Sequence, residues 1–298
     1  MIKRKFSISD GLFFAEYSGD YNPIHIDPII SRRLMFGQPI VHGLHIVLWV
    51  IDVWYDQKKD AGKINLLNVS FPKAVVLETD TVYKVIKDND FESIIHVIQN
   101  KVVCAKVKIV TSQNHQKNND LAKSDYINES PPKESPKELL FEELIDATGS
   151  LVPYLDEEKF SSIFPNVFNK LDKQHIATLL SSTRLIGMCC PGLNSLISSF
   201  EFSFKYNGNG DNKLNYNVAK VDPRFNMLFV NLNTSNFDGK IRTFMRPALV
   251  KQLNYSDVIA HVKKDEFKGQ RVLVVGGSRG LGEMTTKILV AGGASVRF

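Results

Sequence analysis

Apolar positions crowd one stretch near the start of the chain. From Gly43 to Asp56, the run Leu44-His45-Ile46-Val47-Leu48-Trp49-Val50-Ile51 and then Val53-Trp54-Tyr55 leaves almost no polar face when wound on a helix. Such a helix has to be enclosed on all sides. The pattern then switches to a period of two: Ile64–Phe71, Thr81–Lys87, Phe91–Gln99 and Lys101–Thr111 are rich in β-branched residues. Polar turns such as Leu77-Glu78-Thr79-Asp80 and Lys87-Asp88-Asn89-Asp90 separate them. This predicts four strands, and four strands with short links point to an antiparallel meander.

The same order returns in the second half. A helix is predicted from about Lys173 to Met188, with Ile176, Leu179 and Leu180 on one face and a stop at Cys190-Pro191-Gly192. Phe200, Phe202, Phe204 and Tyr206 then alternate with polar residues, a turn follows at Asn207–Asn212, and Leu214–Val221, Met227–Asn233 and Lys240–Arg246 complete a second set of strands. Residues 112–137 contain three prolines and few large apolar side chains, so they are expected to be a flexible linker. A sheet wrapped round one apolar helix is the shape called a hotdog. The expected fold is therefore α+β, a double hotdog with copies at residues 1–111 and 138–250, followed by a connector at 251–268 and a separate tail at 269–298. Two unrelated α+β domains would produce the same periodicity.

Composition adds exclusions. The chain has 298 residues, 43% hydrophobic and 23% charged, with 37 basic against 32 acidic side chains, enough for a substantial core. The basic residues are scattered, so no nucleic-acid partner is expected. The longest apolar stretch, Ile46–Trp54, is far shorter than a bilayer span, and no signal peptide follows the basic N-terminus; a cytoplasmic protein with no membrane partner is expected. Cys104, Cys189 and Cys190 have neither disulfide-framework nor zinc-site spacing, and no metal is expected.

Between the first strand and the buried helix lie Ser18-Gly19-Asp20-Tyr21-Asn22-Pro23-Ile24-His25-Ile26-Asp27-Pro28 and, further on, Phe36-Gly37-Gln38-Pro39-Ile40-Val41-His42-Gly43. Pro23 stiffens the loop, so Asp20 and His25 can face a common point, an arrangement suited to acid/base work on a bound water. Taken singly each has a plainer reading: Asp20 as a turn former or helix cap, Asn22-Pro23 as a turn, His25 as a loop histidine. His42 with His45 lacks a placed third ligand.

Together these residues resemble the MaoC-like family of (R)-specific enoyl-CoA hydratases and related dehydratases. The resemblance runs over roughly residues 5–111 and is carried by Ser18, Gly19, Asp20, Asn22, Pro23, His25, Phe36, Gly37, Ile40, His42 and Gly43. It implies a hotdog fold and a catalytic pair at Asp20 and His25 holding water over the C2=C3 bond of an enoyl thioester. Asn22 would position the loop or the water. The thioester oxygen would meet the backbone N–H of Gly43 at the start of the helix, where free donors and the helix dipole favour an enolate-like oxygen. The substrate would be an acyl thioester of coenzyme A or acyl carrier protein, with no cofactor, and a homodimer is expected.

Ahead of the second helix, Asp172 and His175 lie only three apart, so the second half is expected to be non-catalytic, with Ser182–Leu193 as scaffold rather than site. In the tail, Gly276, Gly280 and Gly282 have the dinucleotide-fingerprint spacing of short-chain dehydrogenases. The tail resembles the opening βαβ of a Rossmann fold, expected to be a truncated fragment that makes no working cofactor site by itself, with NADP relevant only to a longer parent. Two alternatives to a hydro-lyase stand beside it. One is a non-catalytic body that binds acyl thioesters or carrier protein; the other is the dehydratase part of a bifunctional dehydratase and NADP-dependent ketoreductase.

Overall fold

The computed structural model of the protein describes residues 2–112, 126–206, 213–248 and 252–298. The turn expected at 207–212 and linker residues 113–125 lie outside them. The chain divides into two compact units, Met1–Pro247 and Ala248–Phe298, described separately.

In the first unit, β1 (Ile2–Arg4) is followed by α1 (Ile8–Ser18), α2 (Pro23–Ile26), α3 (Pro28–Arg33) and α4 (Gly43–Gln57), then β2 (Lys63–Ser70), β3 (Thr81–Asp88), β4 (Glu92–Gln99) and β5 (Val102–Ser112). After β6 (Thr148–Leu151) come α5 (Glu157–Ile163), α6 (Pro165–Lys170), α7 (Lys173–Arg184), β7 (Ser195–Phe204), β8 (Leu214–Asp222), β9 (Met227–Thr234) and β10 (Phe237–Met245). The ten strands form one sheet in the order β1-β3-β4-β5-β2-β7-β10-β9-β8-β6. The helices α4 and α7 and the inward side chains of both strand sets share one hydrophobic core.

The copies are not four-strand meanders. Only β3-β4-β5 and β10-β9-β8 run in that way; β2 lies beyond β5, and β7 beyond β10. The reason is the connection between β2 and β3, which is a long crossing rather than a tight turn: the Val41 N–H bonds the Val75 carbonyl at 2.9 Å and Ile40 bridges Val76. This leaves one edge of β2 free, and β2 and β7 pair antiparallel from Leu66↔Ser203 to Ser70↔Ser199. Two edges that would otherwise invite aggregation join the copies into one sheet.

Three further segments differ from expectation. The stretch ahead of Asp20 is a helix, α1, opened by a capping box between Ser7 and Asp10 and closed by Gly19 at φ 74°; the left-handed C-terminal glycine ends the helix where the motif begins. Residues 126–137, expected to be flexible, are tied down: the Tyr126 hydroxyl donates to Glu157 at 2.5 Å, that of Ser130 to Asp156 at 2.7 Å, Pro131 is buried, and the Lys137 N–H reaches the Met188 carbonyl at 2.8 Å. Polar composition misled here because these side chains find partners on the domain surface. The second central helix is α-helical only to Arg184 and widens into a π-helical turn over Leu185–Cys189. Such a turn inside a helix commonly marks a functional site.

In the second unit, α8 (Tyr255–Ile259) precedes β11 (Arg271–Leu273), α9 (Gly280–Ala291) and β12 (Ser295–Arg297), with β11 and β12 parallel. The break falls after Pro247 rather than after residue 250. The expected connector is also part of this unit, since the Phe267 N–H bonds the Gly292 carbonyl at 2.7 Å.

Candidate active site

The dyad loop is built by punctuation. Gly19 ends α1, Asn22 caps α2 by accepting from the Ile24 N–H, Pro23 opens α2, and Asp27 caps α3. Ile24, Leu34 and Ile40 then pin the segment onto Ala74, Val76 and Leu196. As a result Asp20, His25 and Gly43 line one pocket. Its walls come from Phe36, Ile40, Val41 and Ile46, from the β2–β3 crossing at Phe71 and Lys73–Val75, and from the second half at Thr183, Ile186, Gly187 and Ser195–Ile197. Asn22 does not line it. Its side-chain amide instead donates to the carbonyls of Gly187 and Leu193, both at 3.1 Å, stitching the loop to the second half.

Asp20 is 2% exposed. One carboxylate oxygen accepts from the Thr183 hydroxyl at 2.7 Å and the other from the Asn22 N–H at 3.3 Å. His25 shares a hydrogen bond of 2.9 Å between Nδ1 and the Ile40 carbonyl; a carbonyl only accepts, so Nδ1 carries the proton and Nε2 keeps its lone pair. His42 is fixed likewise through Nε2 on the Asp20 carbonyl at 3.0 Å. Its ring stacks on that of His25 with centroids 4.0 Å apart.

Burial dominates the electrostatics. It raises the Asp20 carboxyl above its ordinary value, opposed by His25 and by the Thr183 and Asn22 hydrogen bonds. It also pushes His25 down to about 3, with His42 adding to the fall and Asp20 and the Ile40 hydrogen bond opposing it. With His25 at about 3 and the Asp20 carboxyl above its ordinary value, the usual order of proton affinity is inverted, and a proton shared by the two rests on Asp20. One titratable atom from each of Asp20, His25 and His42 lies within 4.8 Å of the others.

The same three side chains are a candidate metal group among the described residues, but their geometry suits one poorly. An imidazole binds a metal in its ring plane at about 2 Å. Planes 27° apart with centroids 4.0 Å apart run side by side instead of meeting at an ion.

The start of α4 completes the site. Its cap position is His42, whose side chain makes no capping hydrogen bond, and a helix start of this kind suits an anionic oxygen. A Cβ on Gly43 would come within 3.0 Å of the Phe71 ring.

Sequence reasoning missed the second half's share. Thr183 and Gly187, within the stretch expected to be scaffold, touch Asp20 directly. A glycine inside an apolar helical run was the available signal. The neighbouring Ser181 and Ser182 return their hydroxyls to Ala177 and Leu179 of their own helix, whereas Thr183 crosses to the carboxylate. Replacing Thr183 with Val, which keeps the shape and removes the donor, is expected to cost about 1.5–3 kcal/mol of carboxylate stabilisation and to lower kcat/KM roughly tenfold or more. Steady-state kinetics alongside a melting curve would check this.

At the corresponding place in the second half the space is filled. Phe160, Phe164, Val167 and Leu171 from α5, α6 and the turn after them are buried. Asp52 of α4 accepts the Asn166 and Val167 N–H groups at 2.9 and 3.0 Å. Asp172 caps α7, and Nε2 of His175 is held by two backbone carbonyls.

In the second unit, Gly276 and Gly280 take φ of 79° and 58°. A Cβ on Gly282 would lie 2.2 Å from the Gly276 carbonyl oxygen.

Residues 2–113 match the family model described as "MaoC like domain". Over 45 residues the chain is 44% identical to the 3-hydroxybutyryl-CoA dehydratase of Methylorubrum extorquens, a match covering 15% of this chain and 29% of that protein. Over 43 residues it is 37% identical to the (R)-specific enoyl-CoA hydratase of Aeromonas caviae, covering 14% and 32%. The chain thus spans about a third or less of these curated relatives. A Mycobacterium tuberculosis protein described as a double hotdog superposes with a TM-score of 0.50 over 82% of this chain and 94% of its own, at 8% identity; the shared feature is the fold. Residues 2–113 are thus similar to MaoC-like dehydratase domains, and the chain is similar in fold to a double-hotdog protein.

Proposed function

We propose that the first unit is a hydro-lyase that adds water to, or removes it from, the C2=C3 bond of an enoyl or 3-hydroxyacyl thioester, with Asp20 and His25 as its acid/base pair. One observation carries the reading: an imidazole whose Nδ1 is tied to the Ile40 carbonyl and a buried carboxyl line the same pocket beside the start of α4. In hydration, Nε2 of His25 takes a proton from water as its oxygen bonds to C3. The C2=C3 electrons pass toward the thioester oxygen at the Gly43 N–H, and Asp20 gives its proton to C2. Imidazolium then returns a proton to the carboxylate, which restores the pair; dehydration reverses each step. A preorganised donor at such an oxygen is worth about 3 kcal/mol. The names of the two curated relatives favour a coenzyme A thioester as the substrate.

We also infer that β11, α9 and β12 are the opening of a dinucleotide fold. The close approach of Gly282 to Gly276 supports a glycine turn of the dinucleotide-fingerprint type at Gly276, Gly280 and Gly282, a fragment that makes no working cofactor site by itself.

The test is hydration of a short trans-2-enoyl-CoA, with the 3-hydroxyacyl product identified by mass. His25→Gln, which offers no comparable proton acceptor, should lose about 100-fold or more in kcat. A wild-type chain that binds the thioester but does not turn it over would sink the proposal.

A further inference from the structure

Arg246, the residue after β10, is 7% exposed yet makes no ion pair with any carboxylate among the described residues. A buried guanidinium in that condition is costly and calls for a reason. Its partners are all backbone. Nη2 donates to the Leu193 carbonyl at 2.5 Å and Nε to that of Ser195 at 3.5 Å, while its own N–H reaches the Asn194 carbonyl at 2.7 Å. Three successive carbonyls are therefore gripped by one residue. The first of them, on Leu193, also receives the Asn22 side-chain amide from the dyad loop at 3.1 Å.

We propose that Arg246 is a positioning residue of the site: it locks the Leu193–Ser195 turn on which Asn22 hangs, and so holds the loop bearing Asp20 and His25 in place against the second half. The inference rests on the hydro-lyase reading for its kinetic consequences, not for its geometry. A second effect accompanies the clamp. The charged and titratable groups acting on His25 are Asp20, His42 and Arg246; of these the Arg246 cation disfavours imidazolium while Asp20 favours it. Arg246 thus helps to keep the imidazole in its lone-pair form.

Two variants separate the clamp from plain packing. Arg246→Met keeps much of the volume and removes both charge and donors; Arg246→Lys keeps the charge but can reach fewer of the carbonyls. Each is measured by pH-dependent hydration of a short enoyl-CoA and, independently of turnover, by NMR titration of the His25 ring. For Arg246→Met, kcat should fall tenfold or more with KM changed less than threefold, and the His25 titration should move toward neutral pH. Arg246→Lys should keep the wild-type titration while losing part of kcat. If Arg246→Met does not fold, Arg246→Lys decides: unchanged kcat in it overturns the proposal. So does a folded Arg246→Met with an unmoved His25 titration, or one whose loss lies wholly in KM. An inactive wild type would count against the hydro-lyase reading alone, since the NMR arm still tests the clamp.

Discussion

Replacing Asp20 with Asn should lower kcat for enoyl-CoA hydration by at least 100-fold and by as much as about 10⁴-fold, the range that one acid/base group supplies, while leaving the fold intact. The substitution is nearly isosteric. The amide oxygen can still accept the Asn22 N–H, and the Thr183 hydroxyl, which now donates to the carboxylate at 2.7 Å, can turn to accept from the new amide. Stability at neutral pH should hold or rise, because burial already disfavours charge at this position. Loss of turnover together with an undiminished melting temperature is therefore the expected signature. An Asp20→Asn protein that keeps activity within threefold of wild type would remove Asp20 from the chemistry.

Much of this site could be read from the chain because its local half is written contiguously. Gly19, Asn22, Pro23 and Asp27 act within a few residues of their own positions as helix stop, caps and helix start. Their spacing therefore encodes geometry directly. The apolar circumference of α4 was equally legible, since being buried on every side leaves a pattern no other environment needs. What stayed hidden is what depends on contacts more than a hundred residues away. Thr183 reaches Asp20, and Asn22 reaches Gly187 and Leu193. Nothing in the local sequence distinguishes the hydroxyl of Thr183 from those of Ser181 and Ser182, which bond back into the helix. The crossing of β2 past β5 was hidden for the same reason: strand order is decided by which edge finds a partner, and the partner of β2 is β7.

The asymmetry of the two halves follows from these contacts. The proposed dyad lies where the start of α4 meets the end of α7, and each half supplies something the other lacks: the first Asp20 and His25, the second Thr183 and Gly187 against Asp20. At the opposite place, where the start of α7 would meet the end of α4, four apolar side chains occupy the space and Asp52 caps a helix instead of working on substrate. The second half is thus part of the site without carrying a dyad of its own.

Gly187 makes the sharpest test of that division. A Cβ built there would stand 2.1 Å from one carboxylate oxygen of Asp20 and 2.6 Å from its carboxyl carbon, distances that no packing tolerates. Gly187→Ala must displace either the carboxyl group or the π-helical turn, and the Asn22 amide bonded to the Gly187 carbonyl moves with the turn. A displacement of about 1 Å at reacting groups typically costs on the order of 100-fold in rate, so a comparable fall in kcat is expected from a methyl group on the half that holds no acid or base. A double-mutant cycle separates this from general damage. If the methyl acts by moving Asp20, adding Gly187→Ala to an Asp20→Ala protein, where the clash is gone, should reduce the residual rate by less than about threefold, since coupled residues fail to add. Full additivity would show that Gly187 matters for folding alone, and the second half would then be scaffold after all.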